Sequence, residues 1–246
     1  MARPIRVAAA GDVHCDEVNR DEVERAFGRV AGDVDAILLA GDLTTYGELE
    51  QAELLAEICA PIDTPMFAVL GNHDWHCNQV DEIVAALGEA GVRMVDRGFA
   101  VEQVDGASLG IAGAKGFVGG FPDSQLPDFG EPLLREVYAE TTAEVDALGA
   151  GLQAIADCDY RVALLHYAPT LTTLEGEPHG IWAFLGSDRL AAPIADHRPD
   201  VVLHGHAHAG AFQGAVGDVP VYNVAVPVLG RDFFVFELAD GSVRPA

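Results

Sequence analysis

IRVAAAGDVH at residues 5–14, AILLAGD at 36–42 and MFAVLGNHD at 66–74 share one grammar: an apolar run of strand length that stops at glycine plus a polar residue. Apolar residues at helical spacing fill the intervals at 20–30 and 47–58, and a third helical pattern at 79–87 follows the last run. The order is β-α-β-α-β. Strands that are apolar throughout and alternate with helices predict a mostly parallel sheet covered on both faces, with ligands gathering at the carboxyl ends of its strands. The polar residues of all three runs sit at those ends.

Beyond Gly91 the pattern shortens. Strands at 99–104 and 108–112 join at Asp105-Gly106, a dipeptide suited to a two-residue hairpin, and open a second, partly antiparallel sheet. Residues 115–132 are rich in Gly, Pro and Phe without periodicity and form a candidate active-site loop. The segment 133–155 reads as helix, interrupted by Gly149 and Gly151. Further strands are expected at 161–165 before His166, at 200–203 before His204, at 219–224 and at 233–238, with a helix near 188–196.

The 246 residues include 14 Lys plus Arg against 39 Asp plus Glu, a formal charge of −25. A surface so acidic repels phosphate backbones and anionic headgroups, which argues against a nucleic-acid duplex or a membrane as partner. Half the residues are apolar, so a buried core and one domain over 1–246 are expected rather than disorder. The basic N-terminus leads into an apolar run of only about seven residues, shorter than most signal-peptide cores, and it reads as a strand. No apolar stretch approaches the roughly 18 residues needed to cross a bilayer. Cys15, Cys59, Cys77 and Cys158 form no CxxC pair, which suits a reducing interior, and a cytoplasmic location is expected.

Five strand ends carry Asp12 and His14, Asp42, Asn72-His73-Asp74, His166, and His206 with His208. Two cations held about 3.5 to 4 Å apart need such a mixture: a bridging carboxylate to screen their repulsion, imidazoles for borderline metals, and neutral donors that leave positive charge for substrate. The set suits Mn, Fe, Zn or Co.

Taken in order, GDVH (11–14), GDLTTYG (41–47), GNHD (71–74), LLHYAP (164–169) and GHAH (205–208) resemble the blocks of the calcineurin-like metallophosphoesterase superfamily. The resemblance spans residues 5 to about 208. It implies an α/β fold, a four-layer αββα sandwich of two mixed sheets flanked by helices. It also implies two transition-metal ions, with Asp12, His14 and His208 on the first, Asn72, His166 and His206 on the second, and Asp42 bridging both. His73 would then lie beside the leaving-group oxygen instead of on a metal, oriented by Asp74. The implied reaction is in-line attack of a metal-bridging hydroxide on a small phosphorylated substrate. GDLTTYG resembles the bacterial cyclic-nucleotide phosphodiesterase branch and favours a phosphodiester. A phosphomonoesterase and a noncatalytic interaction scaffold are the alternatives.

His204 is expected to pack or hydrogen-bond behind the ligands, and His197 to lie at the surface; His76 and His179 match no ligand block. Cys15 and Cys77 follow ligand segments, but thiolates are foreign to an oxygen- and nitrogen-rich site. The loops 115–132, with Phe117, Phe121 and Phe129, and 168–185, with Glu175, Glu177, His179, Trp182 and Phe184, either line a substrate pocket or fill local core. Lys115, the only lysine, has no role that the sequence fixes.

Overall fold

The computed structural model describes residues 4–239 and 242–245. Residues 1–3, part of the basic segment before the first strand, lie outside the described residues, as do 240, 241 and 246. The strands are β1 (Ile5–Ala10), β2 (Ala36–Ala40), β3 (Met66–Val69), β4 (Val92–Met94), β5 (Gly98–Val104), β6 (Ala107–Ala114), β7 (Tyr160–Leu165), β8 (Val201–His204), β9 (Gln213–Val216), β10 (Val219–Asn223), β11 (Phe234–Ala239) and β12 (Ser242–Pro245). The helices are α1 (Arg20–Val30), α2 (Leu49–Cys59), α3 (Val80–Glu89), α4 (Pro132–Ala154), α5 (Trp182–Leu185), α6 (Ala191–His197) and α7 (Val226–Leu229).

They form two mixed six-stranded sheets, ordered β12-β11-β1-β2-β3-β4 and β5-β6-β7-β8-β10-β9. In the first sheet β1 to β4 run parallel, and β11 returns antiparallel along β1 with Ile5 opposite Leu238. Side chains on a strand alternate between faces, and here both faces are apolar. Val7, Ala9, Leu38 and Phe67 of the first sheet meet Leu109, Ile111, Val162 and Leu203 of the second in a core between the sheets. The alternate residues Ala8, Ile37, Leu39 and Ala68 pack under α1, α2 and α3 through Phe27, Leu55 and Ile83. On the far side, Ala112, Ala163 and Val202 pack under α4 and α6 through Leu148, Leu152 and Ile194. The result is the four-layer αββα sandwich expected from the sequence.

Asp105 and Gly106 both take positive φ (48° and 87°), as the mirror-image hairpin turn between β5 and β6 requires. Three departures are instructive. The short β4, a strand the sequence pattern does not suggest, extends the first sheet beside β3, and the second sheet opens at β5 as expected. The helix α4 runs unbroken through Gly149 and Gly151, since Gly151 packs so tightly that a Cβ there would lie 2.9 Å from the Gly98 carbonyl. The strands β9 and β12 add edges that carry no clear alternation of their own. No helix among the described residues is long and apolar enough to cross a membrane.

Candidate metal centre

Because β1, β2, β3, β7 and β8 all run parallel to their sequence-order neighbours within their sheets, their carboxyl ends deliver every sequence-predicted site residue to one edge of the sandwich. Asp12 and His14 follow β1, Asp42 follows β2, Asn72 and His73 follow β3, His166 follows β7, and His206 and His208 follow β8. The chain turns sharply there. Asp12, His14, Asp42 and His206 adopt positive φ of 59°, 46°, 49° and 70°, a costly conformation for a side-chain-bearing residue that tends to cluster at functional sites.

The glycines of the motifs make room for one another's ligands. A Cβ on Gly71 would lie 2.1 Å from Asp42 Oδ1, and one on Gly205 would lie 2.3 Å from Asp12 Oδ2.

The donors fall into three triads, each with one ligand atom per residue within 4.8 Å of the others: Asp12, His14 and His208; His14, Asp42 and His73; and Asp42, His166 and His206. His14 and Asp42 each belong to two of them, and Asp42 alone links the His14 side to His166 and His206. The two imidazoles of His-x-His part company, His206 going to the Asp42 triad and His208 to the Asp12 triad. His166 Nδ1 lies 2.9 Å from the Ala40 carbonyl and donates to it. Its Nε2 then carries a lone pair, yet it faces Asn72 Oδ1 at 3.0 Å and Asp42 Oδ1 at 3.4 Å. Three acceptors aimed at one space are a poor arrangement for hydrogen bonding and a good one for a cation. His206 Nε2 donates to the Phe184 carbonyl at 3.1 Å, leaving Nδ1 as its free ligand atom.

Electrostatics agree. Burial, reinforced by His166, pushes His206 down to about 3, so this imidazole is neutral at physiological pH. Burial also lowers His14. Burial opposes ionisation of Asp12, but the His208 hydrogen bond, the nearby His166 and the His206 N–H outweigh it, and its pKa falls below the ordinary carboxylate value. The same 2.8 Å contact with Asp12 raises His208. The His206 N–H donates to both Asp12 oxygens, at 3.1 and 2.9 Å. Two carboxylates, several imidazoles and an amide oxygen fit a pair of divalent cations.

His73 donates through Nδ1 to the Thr45 carbonyl at 2.7 Å, with Nε2 3.9 Å from Asp42 Oδ2. Its backbone N–H donates to Asp42 Oδ1 at 2.8 Å. The expectation that Asp74 orients His73 needs correction. Asp74 is fully buried and accepts from Leu43 N, Thr44 N, Thr44 Oγ1 and Gly71 N, so it ties the loop after β2 to the loop after β3. The Thr45 carbonyl holds the ring.

His204 is buried between the Gly205 carbonyl and Thr173 Oγ1, behind the ligands as expected. Cys15 is buried, and burial pushes its thiol up to about 11, as suits a small buried hydrophobe. Of the loop aromatics, Phe121 is core, Phe129 is exposed, and Phe117 lines a cavity beside Asn72. Sequence reasoning missed that cavity's other walls, Trp75 and Tyr167, although one stands two residues from His73 and the other adjoins His166. It also missed His76, whose ring lies 4.6 Å from that of His73.

Fold and site together define a metal-dependent phosphoester hydrolase. The family model for calcineurin-like phosphoesterases matches residues 5–210, and the chain belongs to that family. The structure is similar to phosphopantetheinyl hydrolase from Mycobacterium tuberculosis, with a TM-score of 0.68 at 16% identity over 100% of this chain and 97% of that one. It is also similar to GAP50, the anchor in the inner membrane complex of Plasmodium, with a TM-score of 0.61 at 14% identity over 99% of this chain and 84% of that one. At such identities the likeness is one of fold. Among curated proteins none matches this sequence.

Proposed function

We propose that this chain, read as one domain over 1–246, hydrolyses a small phosphodiester at the cluster around Asp42. Asp12, His14 and His208 would hold one ion, Asn72, His166 and His206 a second, and Asp42 both. The observation that carries the reading is that Asp42 shares one donor triad with His14 and another with His166 and His206. Bound ions, of Mn, Fe or Zn, would polarise the phosphoryl group and lower the pKa of an attacking water.

The chain's own residues do the rest. The donor set holds two carboxylates, Asp12 and Asp42, and its imidazoles and amide would bind metal as neutral ligands, so positive charge is left over for the phosphate oxygens. With Nδ1 engaged by Thr45, His73 presents Nε2 toward Asp42, where its protonated form can donate to the leaving oxygen as general acid. The preference for a diester is supported by the likeness of GDLTTYG to the cyclic-nucleotide phosphodiesterase branch. A cytoplasmic location is supported by four cysteines without a disulfide.

The test is turnover of bis(p-nitrophenyl) phosphate by purified protein supplied in turn with manganese, iron and zinc. Hydrolysis with a higher kcat/KM than for p-nitrophenyl phosphate is expected. The opposite ranking would make the chain a phosphomonoesterase, and no turnover with any metal would leave only a scaffold.

A further inference from the structure

A cavity of about 290 Å³ opens beside the metal cluster, lined by Asn72, Trp75, Lys115, Phe117, Glu140 and Tyr167. Two of its walls belong to the cluster's surroundings: Asn72 Oδ1 faces His166, and the Tyr167 ring lies 4.4 Å from that of His206. A phosphate ester held at the cluster therefore has this cavity within reach of its organic arm.

Its floor is unusual. Lys115, the chain's only lysine, directly follows β6 and is 7% exposed. An ammonium carries three donors, yet its one hydrogen bond to the protein goes to the Gly116 carbonyl at 2.9 Å. The nitrogen instead lies over three rings, 4.6 Å from the centroid of Phe117, 5.2 Å from Tyr167 and 5.9 Å from Trp75. Aromatic faces stabilise a cation but leave its remaining N–H groups without acceptors. The carboxylate of Glu140 stands on the same cavity wall, held by Arg97.

We infer that this cavity binds the nucleobase of a nucleoside phosphate ester, stacked among Trp75, Phe117 and Tyr167 and hydrogen-bonded by Lys115 and Glu140. A heteroaromatic base offers each wall a partner: a flat face for the rings, an acceptor for the ammonium and a donor for the Glu140 carboxylate beside the one that Arg97 supplies. A second phosphate would meet the Glu140 carboxylate. The volume stands at the small end of ligand pockets, which start at roughly 300 Å³. The inference rests on the hydrolytic reading for the position of the phosphate.

The test is calorimetric titration of manganese-loaded protein with adenosine 5′-monophosphate and with ribose 5-phosphate, which share the phosphate and differ by the base. Stacking on aromatic residues is worth enough that the nucleotide should bind tighter by about tenfold or more. Trp75→Ala and Lys115→Met should each bring the two affinities to within about twofold by weakening the nucleotide alone. Trp75 is half exposed, so its variant remains informative if the buried lysine proves necessary for folding. Equal affinities in the wild-type protein, or no binding of either ligand, would overturn the nucleobase site. Hydrolysis of bis(p-nitrophenyl) phosphate, measured on the same preparation, shows separately whether the hydrolytic reading stands.

Discussion

The two sheets meet at the site with different chemistries. The ends of the first sheet carry both carboxylates, Asp12 and Asp42, the amide of Asn72 and the imidazole of His14, whereas the second contributes imidazoles alone, His166, His206 and His208. The contacts that close the cage cross between them: His208 to Asp12, the His206 N–H to Asp12, and His166 to Asn72 and the Ala40 carbonyl. Neither half holds a complete donor set for two ions. The first sheet holds its carboxylates with backbone N–H donors and positive-φ turns, and the second brings His206, which burial keeps unprotonated, together with His166 and His208. Assembly of the site is thus tied to packing of the core between the sheets.

Removing His73 separates chemistry from metal holding on the first-sheet side. His73→Ala should lose activity by about 100- to 10,000-fold, the range for a missing general acid, while elemental analysis finds the metal content of the wild type. Loss of an ion from this variant would make His73 a ligand, as its place in a triad with His14 and Asp42 allows.

A smaller effect follows from crowding the same bank. In Gly71→Ala the new Cβ would sit 2.1 Å from Asp42 Oδ1 and 2.2 Å from its backbone nitrogen, so denaturant titration should show a loss of about 1–3 kcal/mol, with weaker metal retention. An unchanged midpoint would show that the Asp42 loop yields freely.

The smallest effect concerns the strap behind that bank. Asp96 accepts the Leu70 N–H on both oxygens at 3.0 Å, and burial, with Glu144 and Asp74 nearby, raises its pKa from 3.8 to about 7. Between those values the native state keeps a proton that the unfolded chain has lost, so this group's contribution to stability falls as pH rises from 3.8 toward about 7. The melting temperature of the wild type minus that of Asp96→Asn should decline over this window and level off above it. A difference independent of pH would contradict the buried, protonated carboxyl.

Local rules made the first sheet readable. Each strand announces itself by an apolar run ending at Gly plus a polar residue, and parallel strands carry such ends to one edge, so Asp12, His14, Asp42, Asn72 and His73 could be grouped before any coordinates. The hairpin at Asp105-Gly106 was equally plain, because only positive-φ residues suit that turn. What escaped depends on distant parts of the chain. Asp74 looks like a partner for the adjacent His73, but its oxygens turn toward the N–H groups of Leu43 and Thr44, about thirty residues away, and of Gly71. Phe117, Phe121 and Phe129 share one aperiodic segment, and the packing of other loops alone decides that one lines a cavity, one is buried and one is exposed. Lys115 acquires its surroundings from Trp75 of the first bank and Tyr167 of the second, a juxtaposition with no local sequence pattern.

The most direct test of the shared carboxylate is metal stoichiometry of the folded protein, measured by elemental analysis for the wild type and for Asp42→Asn after equilibration with manganese. Two ions per chain in the wild type, and fewer than two in a variant that keeps its circular-dichroism spectrum, are the expected results. Equal loading of the two proteins, or a folded wild-type chain that holds no ion, would contradict the account.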